Sequence, residues 1–496
     1  MISRWRFGIF LVIALFIFLL IVRWQDQPLF LDSYYHAACM AGFKDAGGIV
    51  LHDFWEYAPA GRPHLYPPVF HIILLGLSKL GLPALFILRL VSAAAYPIFL
   101  FVISWVVARL YDDKRAFFTV LAASMPYTFF LNAMIAIPST LALMLFILLF
   151  YALETRKVLC GALLLGLAFY THAAIPWIAI ATLVFYALLR RAYLKHVFSI
   201  ALGGLILAGP WLFYVSGKRD YLVAVSSYIN GYFEANILFY LFAAAGIIMV
   251  FRHKGRSLFY LAMAAGMIPM VKDYSFRFLC AEGLLPIIFL AGIGLDEIYS
   301  RLCAFMIGRR AKEIVYSVLL PWLIFFLVVF WPKSSVDRFT NYDGRKGTAL
   351  ELSIYFRKGM EELFDIINAN SRRDDIVFCN YSHVGGIFYV FTGRASSVGM
   401  LNEVKPIYNS DPAIPAALVI WIKNPEGLFE PQLSALIDRL GLIKIKETEF
   451  AYIYRNPVIM AHKQIARPVI PASWALLILF IWVSAVFVCI TRPNRI

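Results

Sequence analysis

A short acidic and aromatic segment, Asp32-Ser-Tyr-Tyr-His36, follows directly after the first apolar run of this sequence. A carboxylate that emerges at a membrane surface could act as a general base, which takes a proton from a reacting hydroxyl. The same position also suits a helix N-cap, because Asp32 or Ser33 could open a short amphipathic helix. We therefore interpret Asp32 as the candidate catalytic residue and His36 as a candidate substrate-binding residue, with the capping role as the alternative.

A second polar segment runs from Arg62 to His71 and reads Arg-Pro-His-Leu-Tyr-Pro-Pro-Val-Phe-His. Its Arg, His and Tyr side chains stand among prolines, so they could form a rigid polar wall that holds a phosphate. Arg62, His64 and Tyr66 are the candidate substrate-binding residues of this segment. The alternative is a belt of Tyr, Trp and Arg that anchors the loop to lipid headgroups.

Two basic residues lie close together in a later short loop, where basic residues are otherwise scarce. Lys272 offers a point charge and Arg277 a planar fork, and together they would suit a phosphate or a diphosphate. The alternative is a simple turn, in which Asp273 forms a salt bridge with Arg277 four residues later.

Two further residues are weaker candidates for substrate binding. His172 ends an apolar hairpin, where a histidine can equally be a solvated or a capping residue. Glu234 lies in the loop 217–235, which could close over a substrate or serve as a solvated connector.

The elements that must position these residues are apolar. The chain has 496 residues, of which 61% are hydrophobic and 15% are charged, and its mean hydropathy is +0.75. An average soluble domain has about 25% charged residues, so a soluble protein of this size is excluded. We count about 12–13 apolar segments that are long enough, or nearly so, to cross about 30 Å of hydrocarbon. They span residues 7–22, 66–82, 84–108, 116–131, 139–154, 158–171, 174–189, 196–215, 236–251, 257–271, 279–295, 313–331 and 469–490.

The net charge of +15 would suggest a nucleic-acid partner in a soluble protein. Here the basic residues gather in short clusters between apolar runs, as the positive-inside rule describes for membrane proteins. This distribution excludes a nucleic-acid partner and predicts that both termini are cytoplasmic. Two termini on one side require an even number of crossings. One run among 66–82, 84–108 and 116–131 is therefore predicted to be re-entrant or only partly inserted, and 66–82 is preferred because it is short and opens with two prolines.

Composition divides the chain into three parts. Residues 1–332 are predicted to form a transmembrane module, with a first outer loop at 23–65. Residues 333–467 are predicted to form a small extracytoplasmic α/β domain, because charged residues return and strand-like runs alternate with helix-like ones. Residues 468–496 are predicted to be the final transmembrane helix and a cytoplasmic tail. The predicted fold class is a polytopic α-helical membrane protein with a small α/β domain near the C-terminus.

The two motifs that begin at Asp32 and Arg62, placed after a first transmembrane helix, resemble those of the GT-C superfamily of membrane glycosyltransferases. The resemblance is nearest to the archaeal-type, oligosaccharyltransferase-like branch and extends in layout over residues 1–300. It implies inverting transfer of a sugar from a polyprenyl-phosphate-linked donor, such as a dolichol-linked one, to an acceptor on the outer face. Asp32 would match the family's catalytic carboxylate, and Arg277 with its following Phe resembles the family's arginine that contacts the donor phosphate.

The sequence departs from this family at two places. The stretch 132–139, where metal-dependent members carry a second acidic motif, has no carboxylate. No metal ligand is therefore predicted, and a divalent cation such as Mn²⁺ or Mg²⁺ is left open as a cofactor. The Trp-Trp-Asp motif that reads the acceptor is also absent, so transfer to protein asparagine is not supported, and the acceptor stays open among glycans, lipids and proteins.

Two other functions stay open at this point. The chain could be a non-enzymatic carrier, a flippase or a scaffold for lipid-linked sugars, although transporters usually place ionisable residues near the membrane midplane. It could also be a GT-C relative that has lost catalysis, because the second carboxylate is missing.

Overall fold

The structure is a computed structural model that describes residues 3–28, 30–223, 237–273, 277, 281–305, 318–330, 349–400, 404–407, 411–423, 430–458 and 461–492. The helices up to residue 330 are α1 (Arg4–Val22), α2 (Asp32–Ala46), α3 (Val69–Lys79), α4 (Ala84–Leu110), α5 (Asp113–Ser124), α6 (Tyr127–Met134), α7 (Pro138–Glu154), α8 (Val158–Phe169), α9 (Ile175–Leu189), α10 (Leu194–Ser216), α11 (Ile237–His253), α12 (Leu258–Met267), α13 (Met270–Asp273), α14 (Leu284–Phe305) and α15 (Leu320–Val329). The later helices are α16 (Ala349–Asn370), α17 (Ser382–Thr392), α18 (Glu430–Leu440) and α19 (Ala472–Thr491). The strands are β1 (Gly48–Ile49), β2 (His52–Asp53), β3 (Arg62–Pro63), β4 (Ile376–Cys379), β5 (Ala395–Ser396), β6 (Leu418–Ile422), β7 (Ile443–Glu447), β8 (Ala451–Arg455) and β9 (Ile470–Pro471).

Apolar helices make up most of the chain before residue 330 and return at its C-terminal end. Within the described residues, four helices are long and apolar enough to cross a membrane, and a fifth span results if the bent pair α5–α6 is counted as one. These four are α1, α4, α10 with the short turn before it, and α19. Five shorter apolar helices, α3, α7, α8, α9 and α11, complete the apolar set.

Two elements interrupt the regular series of crossings. Helix α3 has 11 residues and is about 16 Å long at 1.5 Å per residue, well short of about 30 Å of hydrocarbon. Helices α5 and α6 meet at an angle of 90°. The bend lies at Pro126, which cannot donate a backbone hydrogen bond and disfavours a helical residue before it. Both elements lie within residues 66–131, where the sequence predicts one incomplete crossing, and the choice between them stays a prediction.

The helices pack closely where small residues face a neighbour. A Cβ atom added at Gly246 of α11 would lie 1.8 Å from the carbonyl oxygen of Leu290 on α14, and one added at Gly294 of α14 would lie 2.0 Å from that of Phe242. Only glycine therefore fits at these two positions, and the two backbones approach directly. Close approach through small residues is a usual way of packing helices in membranes.

A buried carboxylate joins several helix ends on one side of the bundle. Glu154, whose side chain has no exposed surface, accepts from Arg256 Nε at 3.0 Å and from Arg190 Nη1 at 3.5 Å. The hydroxyl of Tyr193 donates to its second oxygen at 3.3 Å, and the hydroxyl of Tyr186 donates to the first. The end of α7 is thereby fixed to the end of α9 and to the turn before α12.

The C-terminal part contains a five-stranded sheet of order β5-β4-β6-β8-β7. Strand β4 runs parallel to β5 and β6, while β8 runs antiparallel to β6 and β7. Strands β4 and β6 are buried along their whole length, which explains why both read as unbroken apolar runs. The predicted fold class, a helical membrane protein with a small α/β region near the C-terminus, is confirmed.

The α/β region holds the loop between α2 and α3 in place. Strand β1 of this loop pairs with β9, which immediately precedes α19. The backbone N–H of Ser396 in β5 donates to Trp55 O at 2.9 Å, and the N–H of Ala58 returns a bond of 2.9 Å to Ser396 O. The C-terminal region therefore fixes the conformation of the segment that contains the second polar motif.

Asp45, in the last turn of α2, makes a second connection to the α/β region. It accepts from the hydroxyl of Tyr389 at 2.9 Å and from Arg373 Nη2 at 3.1 Å, and Lys463 Nζ lies 3.8 Å away. Because Asp32 opens the same helix, these bonds also hold the candidate catalytic residue relative to the α/β region.

Candidate functional site

Asp32 is the first residue of α2, and its side chain is half-buried. The residue that caps the helix is Leu31, which makes no side-chain capping bond, so the alternative that Asp32 or Ser33 serves as the N-cap is not realised. A carboxylate in the first turn interacts favourably with the positive end of the helix dipole. The charged form of Asp32 therefore suits its position.

His36 lies one helical turn after Asp32 on the same face of α2. Its Nδ1 is 2.9 Å from Nε2 of His71, and both rings are buried. The rings of Tyr66 and Phe70 pack on it, with centroids 5.1 and 5.4 Å away. Burial first, and then the charge of His64, lowers the pKa of His36 to about 3, so this imidazole is neutral at ordinary pH.

His172 connects α8 to α9 and is buried. Its Nδ1 accepts from the backbone N–H groups of Ala174 at 3.1 Å and Ile175 at 3.3 Å, so it caps α9, as one of its two interpretations expected. Because Nδ1 accepts these bonds it carries no proton, so the proton of the neutral ring lies on Nε2. Burial is the main cause that lowers the pKa of His172 to about 3, and the charges of Arg277 and His36 add to it. His172 is therefore a neutral group within electrostatic range of both.

Arg277 is the candidate cation that stays open to solvent, since 38% of its side chain is exposed. Its Nη1 donates at 3.4 Å to Oε1 of Glu282, whose side chain is 2% exposed. The alternative partner, Asp273, and the candidate Lys272 lie on α13, but their side chains fall outside the described residues, as does all of Glu234.

Arg62 lies inside the protein, which corrects the expectation that it is an outer-surface cation for a phosphate. Its side chain is 0% exposed, with Nη2 at 3.0 Å from Glu56 and Nε at 3.4 Å from Asp53. Its Nη1 donates to Val404 O at 3.2 Å, and Glu56 also accepts from the backbone N–H of Met400 at 2.8 Å. Arg62 therefore joins the loop between α2 and α3 to the segment 400–404.

His64 is also buried, which corrects the same expectation for it. Its Nδ1 lies 2.6 Å from Oδ1 of Asp53, and its ring has no exposed surface. Tyr66, the third member of that predicted wall, is half-buried and packs on His36 and Tyr35. Of the three, only Tyr66 remains partly accessible beside Asp32 and His36.

Three residues of this cluster were missed as site residues in the sequence. His71 closes the second motif, and its spacing from His64 gives no sign that it meets His36. Asp53 and Glu56 precede Arg62 and His64 in one short loop, and this mixture of charges so close to apolar and aromatic residues could have indicated a buried ion cluster.

One group of possible metal ligands lies in the described residues, away from the candidate site. Among the described residues, the group whose ligand atoms could hold a metal ion is Asp374, Asp375 and His462 in the α/β region, with all ligand atoms within 4.8 Å of one another. None of the candidate site residues belongs to it. The stretch 132–139 likewise contributes no carboxylate.

Comparison with known proteins identifies the fold. No protein-family model and no curated protein matches this sequence. The structure of ArnT from Cupriavidus metallidurans bound to undecaprenyl phosphate is similar, with a TM-score of 0.58 and 14% identity, covering 92% of this chain and 99% of that one. The oligosaccharyltransferase AglB from Archaeoglobus fulgidus, in complex with an inhibitory peptide and a dolichol-phosphate, is similar with a TM-score of 0.57 and 11% identity, covering 84% of this chain and 69% of that one. Both are GT-C membrane glycosyltransferases, so the predicted GT-C fold is confirmed.

Proposed function

We propose that this protein is a membrane glycosyltransferase that moves a sugar from a polyprenyl-phosphate-linked donor to an acceptor on the outer face of the membrane. One observation carries the proposal. In a chain with the GT-C fold, the half-buried Asp32 and the partly exposed Arg277 are each connected to a buried histidine. Asp32 is one turn from His36, and His172 interacts electrostatically with both His36 and Arg277. We therefore propose that this base and this cation serve one site.

The lipids bound by the similar proteins support a donor of this class. The ArnT structure holds undecaprenyl phosphate and the AglB structure holds a dolichol-phosphate, and both ligands join a long apolar chain to a phosphate. In this protein, the apolar chain would lie between helices, and the phosphate would meet Arg277. Lys272, which precedes it in the chain, is the second proposed cation.

The proposed reaction uses Asp32 as the general base. Asp32 takes the proton of an acceptor hydroxyl, whose oxygen then attacks the anomeric carbon of the donor sugar. The bond from that carbon to the lipid phosphate breaks, its electron pair leaves with the phosphate, and the configuration at the carbon inverts. A positioned base contributes about 10²–10⁴-fold to such a rate, and a fixed guanidinium stabilises the charge that develops on the phosphate.

The neighbouring polar groups would orient the two substrates. His36 and His172 are neutral, so they would act as hydrogen-bond donors or acceptors and not as counter-charges. His172 has its Nε2 proton left for a substrate oxygen, because its Nδ1 is used by the cap. Tyr66 is proposed as a partly accessible wall of the site, and Glu234 as a residue of the loop next to it.

Arg62 and His64 are proposed as positioning residues and not as direct phosphate ligands. Their bonds to Asp53 and Glu56 fix the loop between α2 and α3, and this loop leads directly into Tyr66. The α/β region, which we place on the extracytoplasmic side with both termini cytoplasmic, holds the same loop from outside.

An ionisable residue within a predicted crossing favours surface chemistry over transport. Arg89, near the beginning of α4, donates from Nε to Gln27 O at 3.0 Å and from Nη2 to Gln25 O at 3.3 Å. Its charge is therefore used to hold the turn after α1, near one end of the 27-residue helix α4, whereas transporters usually bind their substrates near the membrane midplane.

Binding of a lipid phosphate tests this proposal before the sugar and the acceptor are known. The purified protein would be titrated in detergent with undecaprenyl phosphate and dolichyl phosphate, and the bound fraction read by native mass spectrometry. We expect Arg277→Gln to weaken binding roughly tenfold to a hundredfold, since a bond to a charged group contributes about 1.5–3 kcal/mol. Arg219→Gln is the matched control, because that side chain is 83% exposed. Equal binding by Arg277→Gln and wild type, or no binding of either lipid, would contradict the proposal.

A further inference from the structure

A line of buried imidazoles runs inward from the candidate site. His36 and His71 are joined at 2.9 Å, and His64 is joined to Asp53 at 2.6 Å. The centroids of the His64 and His71 rings are 5.5 Å apart. All four residues are at most 3% exposed, so bulk water does not reach the line from its inner end.

Two ring nitrogens in the middle of this line are buried and lack a hydrogen-bond partner among the described residues. They are Nε2 of His64 and Nδ1 of His71. Leaving a buried polar nitrogen unsatisfied is unfavourable, because it has lost its hydrogen bond to water. Buried polar groups of this kind are usually satisfied by an ordered water molecule, and two such nitrogens on neighbouring rings are a suitable pair of partners for one water.

We propose that His36, His71, one buried water molecule and His64 form a proton relay, which carries the proton taken by Asp32 from the candidate site to the Asp53–His64 pair. This inference rests on the proposed function for the origin of the proton, but not for the existence of the hydrogen-bonded line. In the relay, the three imidazoles act as positioning residues, because they serve the reaction through Asp32 and do not touch the reacting carbon.

The charges at the inner end of the line explain why a proton would go there. Asp53 and Glu56 bring two carboxylates, while Arg62 brings one guanidinium, and the three side chains are at most 2% exposed. An uncompensated negative charge in a buried place is costly. One proton on His64 compensates it, because the resulting imidazolium lies 2.6 Å from the Asp53 carboxylate.

Other ionisable groups also face this inner end, and none of them brings a positive charge that would make the proton unnecessary. Burial is the main cause that raises the pKa of Tyr35 and Cys39 on α2, and the charge of Asp53 raises both further, so both stay protonated and neutral. Burial also raises the pKa of Glu56, an effect that Arg62 opposes. Glu56 is therefore a second place, beside His64, where an incoming proton would compensate the excess negative charge.

The transfer balances at each atom. The protonated Asp32 gives its proton to Nε2 of His36, and His36 releases the proton on Nδ1 to Nε2 of His71. His71 releases its Nδ1 proton to the water, and the water gives one of its protons to Nε2 of His64. The result is an ionised Asp32, neutral His36 and His71, and an imidazolium at His64, and the reverse sequence returns the proton when the product leaves.

Nitrogen-15 NMR of histidine tests the relay without an enzyme assay. The full chain would be labelled at its nine histidines and reconstituted in lipid nanodiscs, and the signals of His36 and His71 assigned by single substitutions. We expect His64→Gln to change the tautomer populations of both His36 and His71. The matched control is His52→Gln, which alters a half-buried histidine of the same loop that is not in the line. Unchanged His36 and His71 signals in His64→Gln would overturn the relay.

Two further measurements test the relay without relying on the NMR signals of the His64→Gln variant. A high-resolution map should show a water between His64 Nε2 and His71 Nδ1, and an empty gap would overturn the relay. Where transfer is measured, His64→Gln should lower kcat and shift its pH profile at unchanged KM. The proposed function fails on a different result, namely intact transfer by an Asp32 variant or no transfer by the wild type.

Discussion

Replacement of Arg62 by methionine should open the contact between the first loop and the α/β region. Methionine keeps much of the apolar stem but leaves Asp53 and Glu56 as two buried carboxylates without their guanidinium. Breaking a buried ion pair by removing one partner costs about 3–5 kcal/mol. At about 1.4 kcal/mol for each factor of ten, the population of the locally opened state should rise roughly a hundredfold to several thousandfold.

Hydrogen–deuterium exchange with mass spectrometry measures this opening directly. Peptides covering 48–65 and 395–407 should exchange faster in Arg62→Met, while peptides of α8 and α10 should not change. Glu56→Gln is the informative comparison, because it removes the excess negative charge, and its amide oxygen can still accept from Arg62 and from the backbone N–H of Met400. We expect it to be close to wild type. Arg219→Met is the exposed control. Unchanged exchange in Arg62→Met, or an equally large effect of Glu56→Gln, would refute the reasoning.

Three other predictions concern single contacts and the topology. Asp45→Asn should destabilise the docking of the α/β region by about 1.5–3 kcal/mol, since it loses charge-assisted bonds to Arg373 and Tyr389. Trypsin should then cut faster between the helical part and the α/β region. An unchanged cleavage rate speaks against this docking role. His172→Asn should retain the cap of α9 but lose the Nε2 group. The free energy of unfolding should therefore change by less than about 1 kcal/mol, while sugar transfer falls. A large loss of stability would instead indicate that the main role of the His172 ring is to pack against its neighbours. A cysteine introduced at exposed Lys444 should react with an impermeant maleimide added outside intact cells, and one at Arg301 should not; the reverse pattern would overturn the orientation.

The fold was largely predictable because its signals are local. Composition and run length identified the apolar helices, and the return of charged residues after 333 identified the α/β region, whose strands include those at 376–379, 418–422 and 451–455. The parity of the crossings was not fully predictable. The 90° bend between α5 and α6 depends on where Pro126 falls within a run that has ordinary apolar composition.

The candidate site was predictable in its residue types but not in its arrangement. Asp32 and His36 are four residues apart, so helix geometry alone places them together. The burial of Arg62 depends on a segment more than 300 residues later, because its Nη1 donates to the Val404 carbonyl and its partner Glu56 accepts from the Met400 N–H. No local pattern contains that information, and a loop that looks like a solvent-facing phosphate wall therefore becomes an interior cluster.

The transfer assay on Asp32→Asn tests the central claim most directly. The variant keeps the size and polarity of the side chain but cannot accept the proton of a hydroxyl, so kcat should fall by about 10²–10⁴-fold in membranes supplied with polyprenyl-phosphate-linked sugar. Binding of the donor should change little. The control is Asp26→Asn, a partly exposed carboxylate of the preceding turn that pairs with Arg23, and it should retain transfer. Undiminished transfer by Asp32→Asn would contradict the account.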